Sequence, residues 1–534
     1  MTTAELMWLG PLLLVAAGGL IMMLVDAFTK EGAELSLVSA VILAGGAAVS
    51  FALWAGGPAL PADSIVTQYL TTDPQTHFLD LVIGGGGALA ALLAGGYLRE
   101  HRIERGEFYV ILVFSALGAM ALARAVDLLS LFIALETMSL GIYGLVAFRR
   151  SSPNAAEGAI KYFLLGSFAS AILLFGIALL YGATGHTNLE AIRDAVSGGH
   201  AQIRLLTMSL LFLLVGLAFK VSAVPFHAWA PDAYQGAVTP ATTYMAVVVK
   251  AAVFGVMIRV LFVAFGDDML ANANTGWPPA IAGLAAVTMV FGNLAALVQK
   301  NVKRMLAYSS ISHAGFVLMG IAAGWKLDGG SGLAAVLFYL AAYTVSNVLS
   351  FGALILVGSH GKEAVTYEDL AGVGRRHPWV GVPFALGVLS LMGFPPLAGF
   401  FGKYYVILAS AEAGGGMIWL AVIAVLSSAM GAYYYLRVLV FMFMKKPEAG
   451  APVAVPMRSG HVIAALVIAG YFVVRLGVSP GDYLALVSAG EGDHIDLWPF
   501  LWDAGFAVLG GSIAAVLSTW RPGARETSVE PASR

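Results

Sequence analysis

Fifteen apolar runs, each long enough to cross about 30 Å of hydrocarbon, take up most of this 534-residue chain. They lie near residues 5–28, 35–55, 77–98, 108–124, 126–148, 159–183, 205–224, 240–265, 279–299, 305–325, 333–358, 379–411, 416–444, 461–478 and 497–520. Lipid offers backbone groups no hydrogen-bonding partner, so runs of this length read as helices. The expected fold class is an all-α polytopic membrane protein. Composition agrees: 59% of the residues are hydrophobic and 11% charged, where a soluble domain carries roughly 25% charged residues. The first run, Leu6 to Phe28, lacks a basic stretch before it and a small-residue cleavage site, so it reads as a retained span rather than a signal peptide.

The loops give an independent check, because Lys and Arg collect on the cytoplasmic side. After odd-numbered runs come Lys30; Arg99, Arg102 and Arg105; Arg149 and Arg150; Lys300, Lys303 and Arg304; Lys362, Arg375 and Arg376; Lys445, Lys446 and Arg458; then Arg521, Arg525 and Arg534. After even-numbered runs stand only Arg124, Arg193, Arg204 and Lys326, with acids such as Asp63, Asp73, Asp267, Asp268, Asp482, Glu491 and Asp493. A miscounted run would scramble this alternation. The expected topology therefore puts the N-terminus on the non-cytoplasmic side of the membrane.

Zero cysteines exclude disulfides, thiolate-held iron–sulfur clusters and cysteine nucleophiles from this chain. Redox chemistry is then a partner's, and no cofactor is expected here. A net charge of −2, with basic residues sorted by membrane side rather than gathered in a patch, gives no sign of nucleic-acid binding. Glycine is abundant, as helices that pack without a hydrophobic driving force require. The run Gly84-Gly85-Gly86-Gly87 reads as packing surface, since it lacks the preceding strand and following helix start of a phosphate loop.

Seven basic residues remain inside the runs. Arg259, Arg437 and Arg475 lie toward run ends, where a long side chain can snorkel to the interface. Lys161, Lys220, Lys250 and Lys403 have apolar residues on both sides, and Glu136 is their acidic counterpart. Each such charge costs roughly 2.5–3.5 kcal/mol at a helix centre, so five would cost about 12–18 kcal/mol unless paired, neutralised or wetted. Desolvation drives a buried lysine toward its neutral form and a nearby carboxylate drives it back, so a lysine held between the two can exchange a proton. Arginine cannot. A static Glu136–lysine salt bridge explains one pair but not four lysines on four runs. Glu157 stands four residues before Lys161, the favoured order for a plain helix pair.

Two runs are broken beside a lysine. Phe219-Lys220-Val221-Ser222-Ala223-Val224-Pro225-Phe226-His227 interrupts the seventh, and Gly393-Phe394-Pro395-Pro396-Leu397, shortly before Lys403, interrupts the twelfth. Proline removes a donor and clashes with the preceding turn, and carbonyls freed at membrane depth survive only against protein or water. Interrupted helices in corresponding halves point to a transporter of inverted repeats. His313 follows Ser309, Ser310 and Ser312 on a polar stripe of the tenth run, where it is a candidate proton relay or a satisfied hydrogen-bonding residue. Haem is not expected, because the other histidines fall in loops or near run ends.

The segments SLFIALETMSLGIYGLVAF, AIKYFLLGSFASAILLFGIALLYG, FKVSAVPFHAWAPDAYQGA, LVQKNVKRMLAYSSISHAGFVLMGI and GFPPLAGFFGKYYVILA resemble the antiporter-like proton-channel subunits of respiratory complex I, over about residues 105 to 480. The resemblance implies two inverted five-helix repeats, over 105–270 and 271–446, each with a broken helix, flanked by three helices in 1–104 and by the helices of 447–534. It implies that Glu136 pairs with Lys220, that Lys250 is the central lysine and Lys403 the exit-side one, and that Glu157 and Lys161 are the charges of the sixth helix. The implied partners are the neighbouring membrane subunits of the complex, the lipid bilayer and protons. Lysine at 403 argues against the sibling that carries glutamate there. Multisubunit sodium/proton antiporters and a stand-alone secondary transporter are the alternatives. The family commonly has fourteen spans, whereas 497–520 reads as a fifteenth: Trp498, Trp502 and Trp520 stand near its ends, Arg521 and Arg525 follow, and Asp503 is its one charge.

Overall fold

A computed structural model describes residues 2–28, 34–58, 60, 64–199, 202–267, 270–272, 276–327, 330–358, 363–447, 456–488 and 498–519. Among them fourteen helices are long and apolar enough to cross a membrane. These are α1 (Thr3–Phe28), α2 (Leu35–Gly56), α3 (Pro74–Glu100), α4 (Gly106–Arg124), α5 (Leu128–Val146), α6 (Pro153–Thr184), α7 (Ile203–Lys220), α8 (Thr239–Ala264), α9 (Trp277–Leu297), α10 (Val302–Lys326), α11 (Gly330–Val357), α13 (Gly416–Phe443), α14 (Gly460–Val478) and α15 (Trp498–Thr519). Between α11 and α13 run two half-length helices, α12a (Pro378–Met392) and α12b (Ala398–Glu412), which together make the twelfth crossing. The described helices match the fifteen apolar runs in order. Lys30, Lys362, Arg521, Arg525, Arg534, Asp63, Asp268, Glu491 and Asp493 lie outside the described residues.

Helix starts follow local chemistry. Asp73, Asp127, Ser152, Asn301 and Ser459 each turn a side-chain oxygen onto a free N–H of the first turn of α3, α5, α6, α10 and α14. The glycine run packs as expected: Gly84 leaves room for the Leu43 carbonyl and Ala47 of α2, and Gly86 for Val247 and Thr344 of α8 and α11. Helices α3, α8, α10 and α11 are buried over most of their length and form the centre, whereas α1, α6, α9, α13 and α15 present apolar faces outward.

Charge burial corrects several expectations. Arg259 does not snorkel but is buried and paired with Asp73 at 2.6 and 3.1 Å. Arg124, expected in a loop, is buried against Asp80 with Ser50 beside both. Arg475 pairs with Asp503 of α15 at 3.0 Å, and that carboxylate also accepts from Tyr471 and Tyr483 at 2.6 Å. Asp73 before α3, Asp80 of α3 and Asp503 of α15 supply the counter-charge for these arginines. Arg437 lies over the Tyr367 ring at 4.4 Å.

Candidate functional site

The site begins where α7 stops. Ser222 takes φ 58°, the Val224–Pro225 peptide is cis, and the next helical residue is Ala230. The break is satisfied by protein: Thr288 of α9 accepts the Val224 N–H at 3.0 Å, and the Trp229 indole donates to the Phe219 carbonyl at 2.9 Å. Lys220 is therefore the last helical residue, at the carbonyl end of a half-helix where positive charge is favoured. Its ammonium, 1% exposed, donates to Ser139 at 2.7 Å, lies 3.4 Å from the Tyr143 hydroxyl and 3.9 Å from Glu136. Glu136 is 26% exposed and accepts from Ser170 at 2.5 Å. The expected pair is formed, but loosely: a neutral hydroxyl holds the ammonium more closely than the carboxylate does.

Lys250 heads the next group. A π-helical turn over Met245–Val249 precedes it, widening α8 at this point. Its ammonium donates to both the carbonyl and the hydroxyl of Ser310 on α10, the latter at 2.5 Å, and lies 5.7 Å from the Tyr343 ring. Ser310 also accepts from Tyr343 at 2.8 Å and sits 3.4 Å from the Tyr234 hydroxyl. Among the described residues Lys250 has no carboxylate within salt-bridge distance. One turn further along α10, the two ring nitrogens of His313 meet the hydroxyls of Tyr339 at 2.5 Å and Tyr435 at 3.1 Å. Tyr435 in turn hydrogen-bonds Ser309. Another turn on, Phe316 presents its ring 5.2 Å from the ammonium of Lys403.

Lys403 is held by the second break. Gly393 ends α12a with φ 89°, and a Cβ there would lie 3.1 Å from the Lys403 side chain, so both backbone and space call for glycine. The Pro395–Pro396 peptide is cis. Lys403 donates to the Met392 carbonyl at 3.0 Å, one of the groups the break sets free. Ser310, His313 and Phe316 thus stand three residues apart on one face of α10, each rising about 4.5 Å on the last.

Lys161 is placed differently from expectation. It lies near the start of α6, its side chain 43% exposed, bridging Glu157 at 2.6 Å and Asp232 at 2.7 Å. Asp232 also binds Arg304 at 2.6 Å. Lys161 is thus partly exposed and paired with two carboxylates rather than buried. His227 leaves its Nδ1 buried without a partner, its ring 4.6 Å from Phe291. Pro225, Pro395 and Pro396 are exposed within the two breaks. Sequence reasoning missed Asp232, Ser139, Tyr143, Ser310, Tyr339, Tyr343 and Tyr435. An acid seven residues beyond the Pro225 break was a signal for Asp232; tyrosines inside apolar runs carry none.

The model of the family described as NADH:quinone oxidoreductase/Mrp antiporter, TM matches residues 125–431. A Sorangium cellulosum protein called NADH-quinone oxidoreductase subunit N 1 is 52% identical over 492 residues, covering 89% of this chain and 96% of that protein. The chain belongs to the subunit N family. A Trichlorobacter lovleyi subunit N is 38% identical, with 82% of this chain and 87% of the relative covered. A chain of respiratory complex I from Thermus thermophilus superposes with a TM-score of 0.74 at 34% identity, covering 90% of this chain and all of that one. A chain of the Mrp complex from Dietzia, at 21% identity and a TM-score of 0.76, shares the fold. The fold spans both complexes; the subunit N likeness separates them.

Proposed function

We propose that this chain is a proton-translocating membrane subunit of a bacterial NADH-quinone oxidoreductase, with the redox groups in its partners. The observation that carries the reading is the arrangement of three buried lysines. Each donates to a neutral oxygen, that of Ser139, Ser310 or Met392, and among the described residues none holds a carboxylate at hydrogen-bonding distance. A lysine so placed is stabilised enough to stay buried and paired too weakly to be locked in one charge state. In this mechanism quinone reduction elsewhere tightens or loosens the Glu136–Lys220 contact, and the change in field passes a proton along Lys220, Lys250, His313 and Lys403. No redox cofactor is needed in this chain. The family likeness to subunit N favours this over a sodium/proton antiporter or a solute carrier.

Lys220→Ala tests the reading. The complex should assemble while proton pumping and coupled quinone reduction fall about a hundredfold or more, within the range for losing a positioned proton-transfer group. Turnover equal to the unmodified complex would remove Lys220 from the relay.

The orientation proposed with this function puts the N-terminus outside and the exit of α15 in the cytoplasm of a cell whose inner membrane holds the complex. A reporter fused after Arg534 should then be active only in its cytoplasmic form. Activity of the externally folding reporter would make α15 a surface helix.

A further inference from the structure

Lys303, expected among the loop charges, is buried: its side chain is 1% exposed, at the start of α10. It lies beside a cavity of about 160 Å³ lined by Tyr97, Arg149, Gln235 and Glu363, on the face where basic loops gather. A polar cavity of that size has room for several water molecules. The carboxylate of Glu363 accepts from Thr239 at 2.8 Å and from the Tyr97 hydroxyl, and both its oxygens lie 3.4 Å from the Lys303 ammonium. Lys303 also donates to the Ala237 carbonyl at 2.5 Å.

The cluster leads inward. Lys303 and Ser310 lie seven residues apart on α10, about 10.5 Å along the axis. Tyr234, between α7 and α8, and the first turns of α8 supply polar groups near this interval. Thr243 donates to the Thr239 carbonyl at 3.0 Å, Thr242 to the Tyr234 carbonyl at 2.9 Å, and the Tyr234 hydroxyl meets Ser310, which holds Lys250. A buried ion pair that served only to brace helices would not need the cavity.

We propose that Glu363 and Lys303 form the port through which protons from the cytoplasmic side reach Lys250. This rests on the proton-translocation reading. Glu363 takes a proton from a hydronium ion in the cavity and becomes a neutral carboxylic acid, leaving water behind. The Lys303 ammonium, now unpaired in a desolvated place, passes one proton inward by way of the Ser310 hydroxyl to Lys250, which takes it as a neutral amine after giving its own proton on. Lys303 then recovers a proton from Glu363, so one proton enters for each that moves on and the pair returns to its starting charge. Burial pushes the Glu363 carboxyl up, but Lys303 and the hydrogen bonds from Tyr97 and Thr239 outweigh this and hold it below the usual carboxylate range, so it rests ionised and carries the proton only in passing. The titratable and charged groups around it are Tyr97 and His101 at the end of α3, Arg149 beyond α5 and Lys303 of α10.

The test is NADH-driven proton pumping by the whole complex in proteoliposomes, with the pH on the cytoplasmic face varied. Glu363→Gln keeps the shape but cannot take the proton, and should lower pumping about tenfold. Glu363→Asp should recover part of the rate with an altered pH profile. If Glu363→Gln does not assemble, the double variant Glu363→Met with Lys303→Met, which leaves no unpaired charge, should show the same loss. Pumping at the unmodified rate overturns the port, and so does an equal loss in Gln and Asp variants with the pH profile unchanged, the mark of a brace. Lys250→Met serves as reference: if it pumps normally the translocation reading falls, whereas if it stops pumping and Glu363→Gln does not, only the port falls.

Discussion

Lys250→Met should abolish proton pumping, lowering the rate about a hundredfold, a typical loss for a positioned acid–base group. Methionine nearly preserves the length and apolar stem of lysine, so packing between α8 and α10 survives. Removing the ammonium also removes a desolvation cost, and assembly should be unimpaired or improved. What disappears is the proton site between the Lys220 group and His313. The groups in direct contact with its ammonium among the described residues, the Ser310 hydroxyl and carbonyl and the Tyr343 ring, do not titrate near neutral pH. NADH-driven acidification by proteoliposomes measures the effect directly. A rate within about twofold of the unmodified complex, under 0.5 kcal/mol of barrier, would rule out a central role.

The second large effect is at Lys403, where charge and proton exchange can be separated. Lys403→Arg keeps a permanent cation near the freed Met392 carbonyl, and Lys403→Met removes it. If the residue relays protons, both variants should pump at least about tenfold more slowly, because guanidinium stays protonated at any relevant pH. Space adds to the arginine penalty, since Gly393 already lies against the lysine stem and leaves little room for a planar fork. Full activity with arginine would make Lys403 a fixed electrostatic element instead.

The helices were legible because each needs only its own apolar run, and the spacing of loop charges fixed their number. The lysines were legible for the same reason: a charge amid apolar neighbours is conspicuous in one dimension. Their partners were not. Lys250 finds Ser310 sixty residues away, Arg259 finds Asp73 at a separation of 186, and Arg124 finds Asp80 at 44. No local pattern carries such a pairing, so Arg259 and Arg124 were assigned to interface and loop although both are buried. Tyrosines are hidden for another reason. Their bodies suit an apolar run, and only the packed fold shows that Tyr339 and Tyr435 aim hydroxyls at His313. Lys161 looked as deep as the other lysines because its neighbours are apolar, but its side chain is 43% exposed and meets two acids.

Asp503 bears on how the chain enters the membrane. A carboxylate in the second turn of α15 is costly in lipid when unpaired, and the three groups that relieve it here, Tyr471, Arg475 and Tyr483, all come earlier in the chain. During synthesis these emerge first, so α14 and the turn after it are in place when the acid arrives. Helix α15 therefore enters lipid as the second half of a match already half made, and the order of translation does for this acid what a chaperone would otherwise have to do.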